Sequence, residues 1–284
     1  MTIHVITPVH NRVNVTRNFI DDLCQQTTDE NITIYIIDDG STDGTSQMLA
    51  DKADASPTGV QINVITGDGN WWWSKCMNAG IEACVINADQ DDVVLFMNDD
   101  IRVPQQLLES LCEMSKDHHA IVAAQVNEFG NDARVLDRGA LLDERFLALK
   151  AVDVNDTLPN LVPLDIASGR TTAFPAQIFL DGLRVDEKRL PHYVADIEFS
   201  VRARKRGFPI FLLTTSYVLS ADEFGVNSKH SAFKALTAVN SPLRIASHWA
   251  FWRTAAPSLS PLTTFIRFVR YHFLPNILQL GRRK

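Results

Sequence analysis

The sequence predicts an α/β protein, a Rossmann-like sheet flanked by helices and followed by a basic, aromatic helical tail. Three observations predict it. Short β-branched runs alternate with stretches of helical periodicity through the first half of the chain, the pattern of parallel βαβ units. The apolar run Val93-Val94-Leu95-Phe96-Met97 breaks off at Asn98-Asp99-Asp100, as an internal strand does where it leaves the sheet. Residues 226–284 hold nine Lys or Arg and no Asp or Glu.

In chain order, strands are expected over 3–8, 32–37, 61–66, 93–97 and 121–126. Between them, helical spacing of apolar residues covers 13–26, 45–53, 74–87 and 104–116. Order weakens from about 130 to 190, where short possible strands and several prolines read as substrate-facing elaboration. A helix is expected over 195–206, closed by Gly207 as its C-terminal cap and by Pro209 beyond it. No internal repeat or low-complexity linker divides the chain. The expected organisation is one catalytic domain over 1–225 and a tail over 226–284.

Composition narrows the class. A chain of 284 residues, 45% of them hydrophobic, fills a sizeable globular core. Cys24, Cys76, Cys84 and Cys112 lack any C-x-x-C spacing and read as reduced core thiols of a cytosolic protein, not as a zinc site. The chain opens on a strand without a basic region and apolar core, so secretion is not expected. No apolar stretch reaches the roughly 18 residues of a membrane span.

The net charge of -7 hides a division: 18 basic and 34 acidic residues in 1–225 leave the body at -16, against +9 in the tail. In the tail, Trp249, Phe251, Trp252, Phe265, Phe268, Tyr271, Phe273 and Leu274 are interleaved with Arg244, Arg253, Arg267, Arg270 and the terminal Arg282-Arg283-Lys284. Two readings stand: a helix lying on anionic lipid headgroups, or a helix pair packing its aromatics on the acidic body. Nucleic acid is not an expected partner, because the remaining surface is acidic.

Two carboxylates at one strand tip repel and raise each other's pKa unless a positive charge sits beside them, and a divalent cation is the usual partner. Asp99 and Asp100 therefore point to a metal-bridged anion at the sheet's carboxyl edge, where open α/β sheets bind ligands. The second strand ends in Asp38-Asp39-Gly40-Ser41-Thr42-Asp43-Gly44-Thr45. Asp43 suits a helix N-cap and Gly40 a turn; an acid directly after the strand suits a ribose hydroxyl or a base N–H. After the first strand the chain reads Thr7-Pro8-Val9-His10-Asn11-Arg12 in place of a Gly-rich phosphate loop, which argues against a dinucleotide-dependent oxidoreductase.

These pieces, with Asn78-Ala79-Gly80 and Pro191-His192-Tyr193-Val194-Ala195-Asp196, resemble in order and spacing the inverting family 2 glycosyltransferases of GT-A fold over about residues 1–225. The resemblance implies a mixed sheet and a nucleoside diphosphate sugar donor, UDP- or dTDP-linked. It places Thr7, Pro8, Val9, Arg12, Asp38 and Asp39 near the nucleotide. Asn98-Asp99-Asp100 looks like the metal-binding aspartate motif, with Asp100, assisted by Asp99, holding Mg²⁺ or Mn²⁺ on the donor diphosphate. Gly67-Asp68-Gly69-Asn70-Trp71-Trp72-Trp73-Ser74-Lys75 resembles the segment approaching the donor, and puts Asn70, Trp73, Lys75 and Asn78 there. Three consecutive tryptophans cannot all face one core.

A carboxylate such as Asp196 at a helix start can be a capping group; the resemblance makes it the general base. The family usually has Glu-Asp at 195 and 196. Ala195 removes that Glu, and Glu198 is a candidate to support Asp196 instead. Ile166-Ala167-Ser168-Gly169-Arg170 looks like the small-residue segment beneath the acceptor and donor sugar, where Gly169 permits close approach. Many GT-A enzymes add a His to the metal site; Ser220-Ala221-Asp222-Glu223 occupies its place here, and Asp222, Glu223 or the nearby His230 is a candidate substitute. His118, His119 and His248 lack ligand spacing and read as surface or interface residues.

The expected reaction is inverting transfer of a sugar to a hydroxyl of a saccharide or lipid-linked saccharide, for a bacterial surface polysaccharide, by a cytoplasmic protein at the inner membrane face. The competing classes are a sugar-phosphate nucleotidyltransferase, which should carry a Gly-rich, Arg-containing loop after the first strand, and a non-catalytic nucleotide-sugar-binding protein, which would tolerate loss of Asp196.

Overall fold

The computed structural model describes residues 1–153, 159–220, 232–256 and 258–273. Its first half is a run of βαβ units: β1 (Thr2–Val9), α1 (Val13–Cys24), β2 (Asn31–Asp38), α2 (Thr45–Asp54), β3 (Val60–Thr66), α3 (Trp72–Val85) and β4 (Val93–Met97). Each lies within a few residues of its expected place. Strands β3, β2, β1 and β4 stand side by side in that order, all parallel. Their near-continuous apolar sequences fit this position, since a parallel sheet is covered on both faces.

Beyond β4 the chain forms β5 (Ile101–Arg102), α4 (Leu107–His118), β6 (Ile121–Glu128), β7 (Asn131–Asp137), the hairpin β8 (Leu141–Asp143) with β9 (Ala148–Lys150), β10 (Leu161–Leu164), β11 (Thr171–Pro175) and α5 (Gln177–Leu180). Then come α6 (Ala195–Lys205), β12 (Ile210–Ser220), α7 (Ala232–Thr237), α8 (Ile245–Ala255) and α9 (Pro261–Phe268), which runs on into a π-helical turn, Val269–Phe273. Strand β11 inserts antiparallel between β4 and β6, with Thr171 opposite Met97 and Thr172 opposite Ala123. The sheet is therefore mixed, in the order β3-β2-β1-β4-β11-β6-β12-β10. The region read as irregular supplies this insertion. The 11-residue β12 escapes a period-2 reading because a bulge between Leu213 and Tyr217 breaks its register against β6.

Two apolar layers sandwich the sheet. On one face Val5, Ile34, Ile36 and Leu95 pack beneath Phe19 and Leu23 of α1, Leu49 of α2 and Leu111 of α4. On the other, Ile6, Ile37, Val94 and Phe96 meet Met77 and Ile81 of α3 and Phe199 of α6. Phe96 is the hub of a four-ring cluster, with Phe174, Phe179 and Phe199 at centroid distances of 4.7, 5.5 and 5.4 Å. These contacts join β4, β11, α5 and α6 in tilted pairs, each contributing about 0.5–1.5 kcal/mol beyond area burial.

Of the two readings of the tail, packing on the body holds for α8. Phe251, Trp252 and Phe268 are buried with Ala140, Leu147, Ile166 and Val201, and Thr254 donates to Glu198 at 3.0 Å. Helix α9 is different: Leu262, Phe265 and Ile266 remain 68, 53 and 58% exposed. Leu274 and the terminal Arg282-Arg283-Lys284 lie outside the described residues. Among the described residues no helix is long and apolar enough to cross a membrane. All four cysteines are free, and Cys76, Cys84 and Cys112 are buried, as expected of core thiols.

Helix α3 lies so close to the sheet that a Cβ on Gly80 would stand 2.4 Å from Ile6 Cγ2 and 2.9 Å from Ile37 Cδ1. The overpacking outweighs the gain in helix propensity, so Gly80→Ala is expected to lower the free energy of unfolding by about 1–2 kcal/mol. Urea denaturation checks this; a variant as stable as the parent would contradict the packing.

Candidate active site

The loops that leave the carboxyl ends of β1, β2, β3 and β4 meet at one edge of the sheet. Asp38 and Asp39 divide the work there. Asp38 is buried and turned into its own loop, accepting from the Ser41 N–H at 3.0 Å and from the Ser46 hydroxyl. Asp39 reaches across to the next loop: Oδ1 accepts from Gly69 N–H at 2.8 Å, and Oδ2 from the N–H groups of Trp71 and Trp72 at 2.9 and 3.3 Å. One carboxylate thus fixes the entry to α3. Gly67 must be glycine for this, since a Cβ there would stand 2.6 Å from Asp39 Oδ1. Asp43, the expected cap, serves two helices: it accepts from the Thr45 N–H and hydroxyl at the start of α2 and from Val13 N–H at the start of α1.

At the tip of β4, Asp99 is 4% exposed. Its Oδ2 accepts from the Thr16 hydroxyl at 2.6 Å, and its Oδ1 lies 3.4 Å from Arg12 Nη1. Burial pushes its pKa up to about 6 despite the guanidinium and the hydroxyl, which pull the other way. The same Arg12 Nη1 is 3.4 Å from Asp100 Oδ2, and Arg170 Nη2 is 4.0 Å from that oxygen. Asp100 Oδ1 is buried without a hydrogen-bond partner. An orphaned carboxylate oxygen beside a second carboxylate fits a hard divalent cation, which takes oxygen ligands. Among the described residues no third His, Cys, Asp or Glu joins the pair, and Asp222, Glu223 and His230 lie outside them.

Strand β11 carries the second half of the site to the first. Because it pairs with β4, the Asn98 N–H donates to Arg170 O at 3.1 Å, which sets Gly169 beside the aspartate tip. Gly169 is a narrow point: a Cβ there would stand 2.7 Å from Trp73 Cζ2 and 3.0 Å from Asp196 Cβ. Its N–H donates to Asp196 Oδ2 at 2.8 Å. Trp73 rests edge-on against Phe96 at 6.1 Å, with its indole N–H 3.4 Å from Asn98 Oδ1. Asp196 sits in the first turn of α6, where burial raises its pKa against the opposing pull of the Gly169 and Ile197 N–H groups. A carboxylate so placed holds a proton-accepting oxygen in a low-dielectric site, as general-base chemistry requires.

Glu198 does not take the supporting role expected of it. It is fully buried, pairs with Arg202 at 2.8 Å and accepts from Thr254, so it ties α6 to α8. The partner of Asp196 is the Gly169 amide instead. Asn78 is likewise engaged, its amide spanning Val185 and the Glu187 carboxylate at 2.9–3.0 Å. Lys75 is exposed, 4.5 Å above the Trp71 ring, and exposed Asn70 donates its N–H to Asp68. Thr7 is buried in β1 with an unpartnered hydroxyl, beside Pro8 and Val9 at the end of that strand. The residues brought together at the edge are Arg12, Asp39, Trp73, Asn98, Asp99, Asp100, Gly169 and Asp196.

Four further residues belong with them. Thr16 and Arg170 attend the two aspartates. Trp72, 39% exposed, faces His192 at 5.7 Å, and His192 meets Tyr193 edge-on at 4.5 Å. Burial and the nearby Arg12 charge push His192 down to about 4, so its imidazole is neutral at physiological pH. Asn11, Trp72 and the β-branched Val194 have φ of 51°, 57° and 61°, a conformation that costs such residues about 1–3 kcal/mol each. All three flank this edge, where stored strain commonly accompanies function. Trp72, Arg170 and His192 lie in segments that carry the family resemblance, though the sequence assigns them no role; Thr16 carries no signal, because a helix sequence does not say which strand tip its hydroxyl meets.

The sequence matches the profile of Glycosyl transferase family 2 over residues 4–170. Curated proteins give no match. Solved structures similar to the chain include Staphylococcus aureus TarS 1-349 in complex with UDP, at TM-score 0.62 and 14% identity over 95% of this chain and 70% of that one. GalNAc-T7 with UDP, GalNAc and Mn²⁺ follows at 0.61 and 16%, over 78% of this chain and 44% of that one. The mannosyltransferase PcManGT from Pyrobaculum calidifontis, in complex with GDP-Man and Mn²⁺, gives 0.60 and 12%, over 98% and 73%. Identities this low speak for the fold alone, which is that of the GT-A glycosyltransferases. With the profile spanning more than half its length, the chain belongs to glycosyl transferase family 2.

Proposed function

We propose that the protein is an inverting glycosyltransferase that moves one sugar from a nucleoside diphosphate sugar, UDP- or dTDP-linked, to a hydroxyl of a saccharide or lipid-linked saccharide acceptor. The observation that carries the reading is the contact chain Asp100–Arg170–Gly169–Asp196. It joins a group suited to a diphosphate and a group suited to an acceptor hydroxyl through two adjacent residues. Family membership and the nucleotides named for the similar structures support a nucleotide-sugar donor.

In this reading Asp39 and the β1 end border the nucleoside, and Arg12 and Arg170 lie against the diphosphate. Asp100, with Asp99, would hold Mg²⁺ or Mn²⁺, which supplies charge neutralisation at the departing diphosphate. Asp196 takes the acceptor proton as the hydroxyl oxygen bonds to the anomeric carbon from the face opposite the leaving group. The Gly169 amide orients Asp196, and Trp73 closes the sugar site from the side. No covalent enzyme intermediate is needed. The nucleotidyltransferase reading lacks its loop after β1.

The catalytic domain is taken as 1–225, with 226–284 as a basic helical tail. The exposed Leu262, Phe265 and Ile266 on α9, with Arg270 alongside, support peripheral contact with the inner face of a bacterial cell membrane, where a lipid-linked acceptor for a surface polysaccharide would lie.

Asp196→Asn is expected to keep nucleotide affinity, measured by calorimetry, while kcat falls by roughly 10²–10⁴-fold; turnover near that of the parent would remove Asp196 as the base. The base must be ionised to accept a proton, and its pKa stands above the ordinary carboxylate value of about 4. The acid limb of the kcat–pH profile is therefore expected above pH ~4, with activity lost as pH falls through it, and absent from the residual rate of the Asn variant. Replacing Asp100 with Ala should abolish metal-dependent donor binding in a titration with Mn²⁺; an unchanged isotherm would contradict the ligand assignment.

A further inference from the structure

Arg12 stands where two kinds of positive charge have use for the same carboxylates. It occupies the N-cap position of α1, and its side chain is 48% exposed. Nη1 reaches Asp99 Oδ1 and Asp100 Oδ2 at the same 3.4 Å. Both contacts are at the long end for charge-assisted bonds, which run about 2.7–2.9 Å. Asp99 has a shorter bond, from Thr16 at 2.6 Å, and Asp100 keeps one oxygen without a partner. Arg12 thus bridges two adjacent negative charges, with Arg170 only at 4.0 Å from Asp100, and does so loosely.

We infer that Arg12 is the resident counter-charge of the Asp99–Asp100 pair and a positioning residue for the donor: it competes with the divalent cation for Asp100, and on cation binding it swings to the diphosphate. The inference rests on the donor site proposed above. A divalent ion neutralises both carboxylates and uses the orphaned Asp100 oxygen, so it displaces a monovalent group held at 3.4 Å. The freed guanidinium presents a planar fork of donors matched to phosphate oxygens. Its surroundings allow the movement. The side chain is half in solvent, and the group across from it, His192, is neutral. The helix start does not depend on the side chain, because Thr16 N–H bonds to the Arg12 carbonyl. Arg170, 4.0 Å from Asp100 on the opposite strand, keeps a positive charge at the site while Arg12 moves.

The signature is a pair of opposite effects, which a merely structural residue would not produce. Calorimetric titration of the full chain with MnCl₂ alone is expected to show Arg12→Ala binding Mn²⁺ at least several-fold more tightly than the parent. Titration with UDP, dTDP and GDP at saturating Mn²⁺ is expected to show the same variant binding its best nucleotide about tenfold more weakly. Arg12→Lys, which keeps the charge without the fork, should restore the weak Mn²⁺ binding and only part of the nucleotide affinity. Mn²⁺ affinity in Arg12→Ala equal to or below that of the parent, or an unchanged nucleotide affinity, overturns the inference, with equal melting temperatures confirming that both variants are folded. If the parent itself binds none of the three nucleotides with Mn²⁺ present, it is the donor-site reading that fails, a result separable from the Mn²⁺-only arm.

Discussion

The antiparallel pairing of β11 with β4 is the constraint on which the rest of the site depends. Parallel βαβ units deliver the ends of β1, β2 and β4 to one sheet edge, the edge at which open α/β sheets bind ligands. Those units do not bring in Asp196. By running back along β4 with Thr171 opposite Met97, β11 sets Gly169 and Arg170 next to Asn98 and Asp100. The start of α6 then meets Gly169 through the bond from its amide to Asp196. The Phe96 cluster locks the same elements from below, since β4, β11, α5 and α6 each contribute a ring. Trp73 rests on that cluster, so the site's wall and the core are one packing problem.

Charge is distributed with the same economy. Asp38, Asp39 and Asp43 are acids in one loop, yet each is satisfied by N–H or hydroxyl groups that shape the surrounding loops and helix starts. They are the scaffold of the loops at this edge. Asp99 and Asp100 differ in having guanidinium groups at 3.4 and 4.0 Å and one oxygen left over. Asp196 differs again: among the described residues no basic side chain pairs with it, and burial raises its pKa. Three environments thus make three kinds of carboxylate from one residue type: satisfied within its loops, held loosely by guanidinium groups with an oxygen to spare, and buried against a backbone amide.

Much of this was legible in the chain. The alternation of apolar runs and helical stretches placed β1 to β4 and α1 to α4 within a few residues, because each segment's local preference agrees with its place in the fold. The abrupt Met97-to-Asp100 transition marked the strand tip. What could not be read was the insertion of β11. Its sequence, Thr171–Pro175, contains a proline and is too short for periodicity to decide, and its partners are set by tertiary pairing. Glu198 was misjudged for a related reason. Position in a helix names the face a residue shares, but not that Arg202 and Thr254 would occupy its carboxylate. In the tail, the burial of Trp252 and the exposure of Phe265 follow from helix packing that composition alone does not order.

In the proposed reaction a base on one side of the sugar and a diphosphate on the other dictate the stereochemical outcome, and that outcome is directly measurable. Following the anomeric proton by NMR at early times, as the protein with Mn²⁺ consumes an α-linked UDP- or dTDP-sugar, is the most direct measurement. The account requires the new bond, to acceptor or to water, to appear in the β configuration before mutarotation. A product that first appears as the α anomer would contradict the arrangement of Asp100 and Asp196 about a single donor.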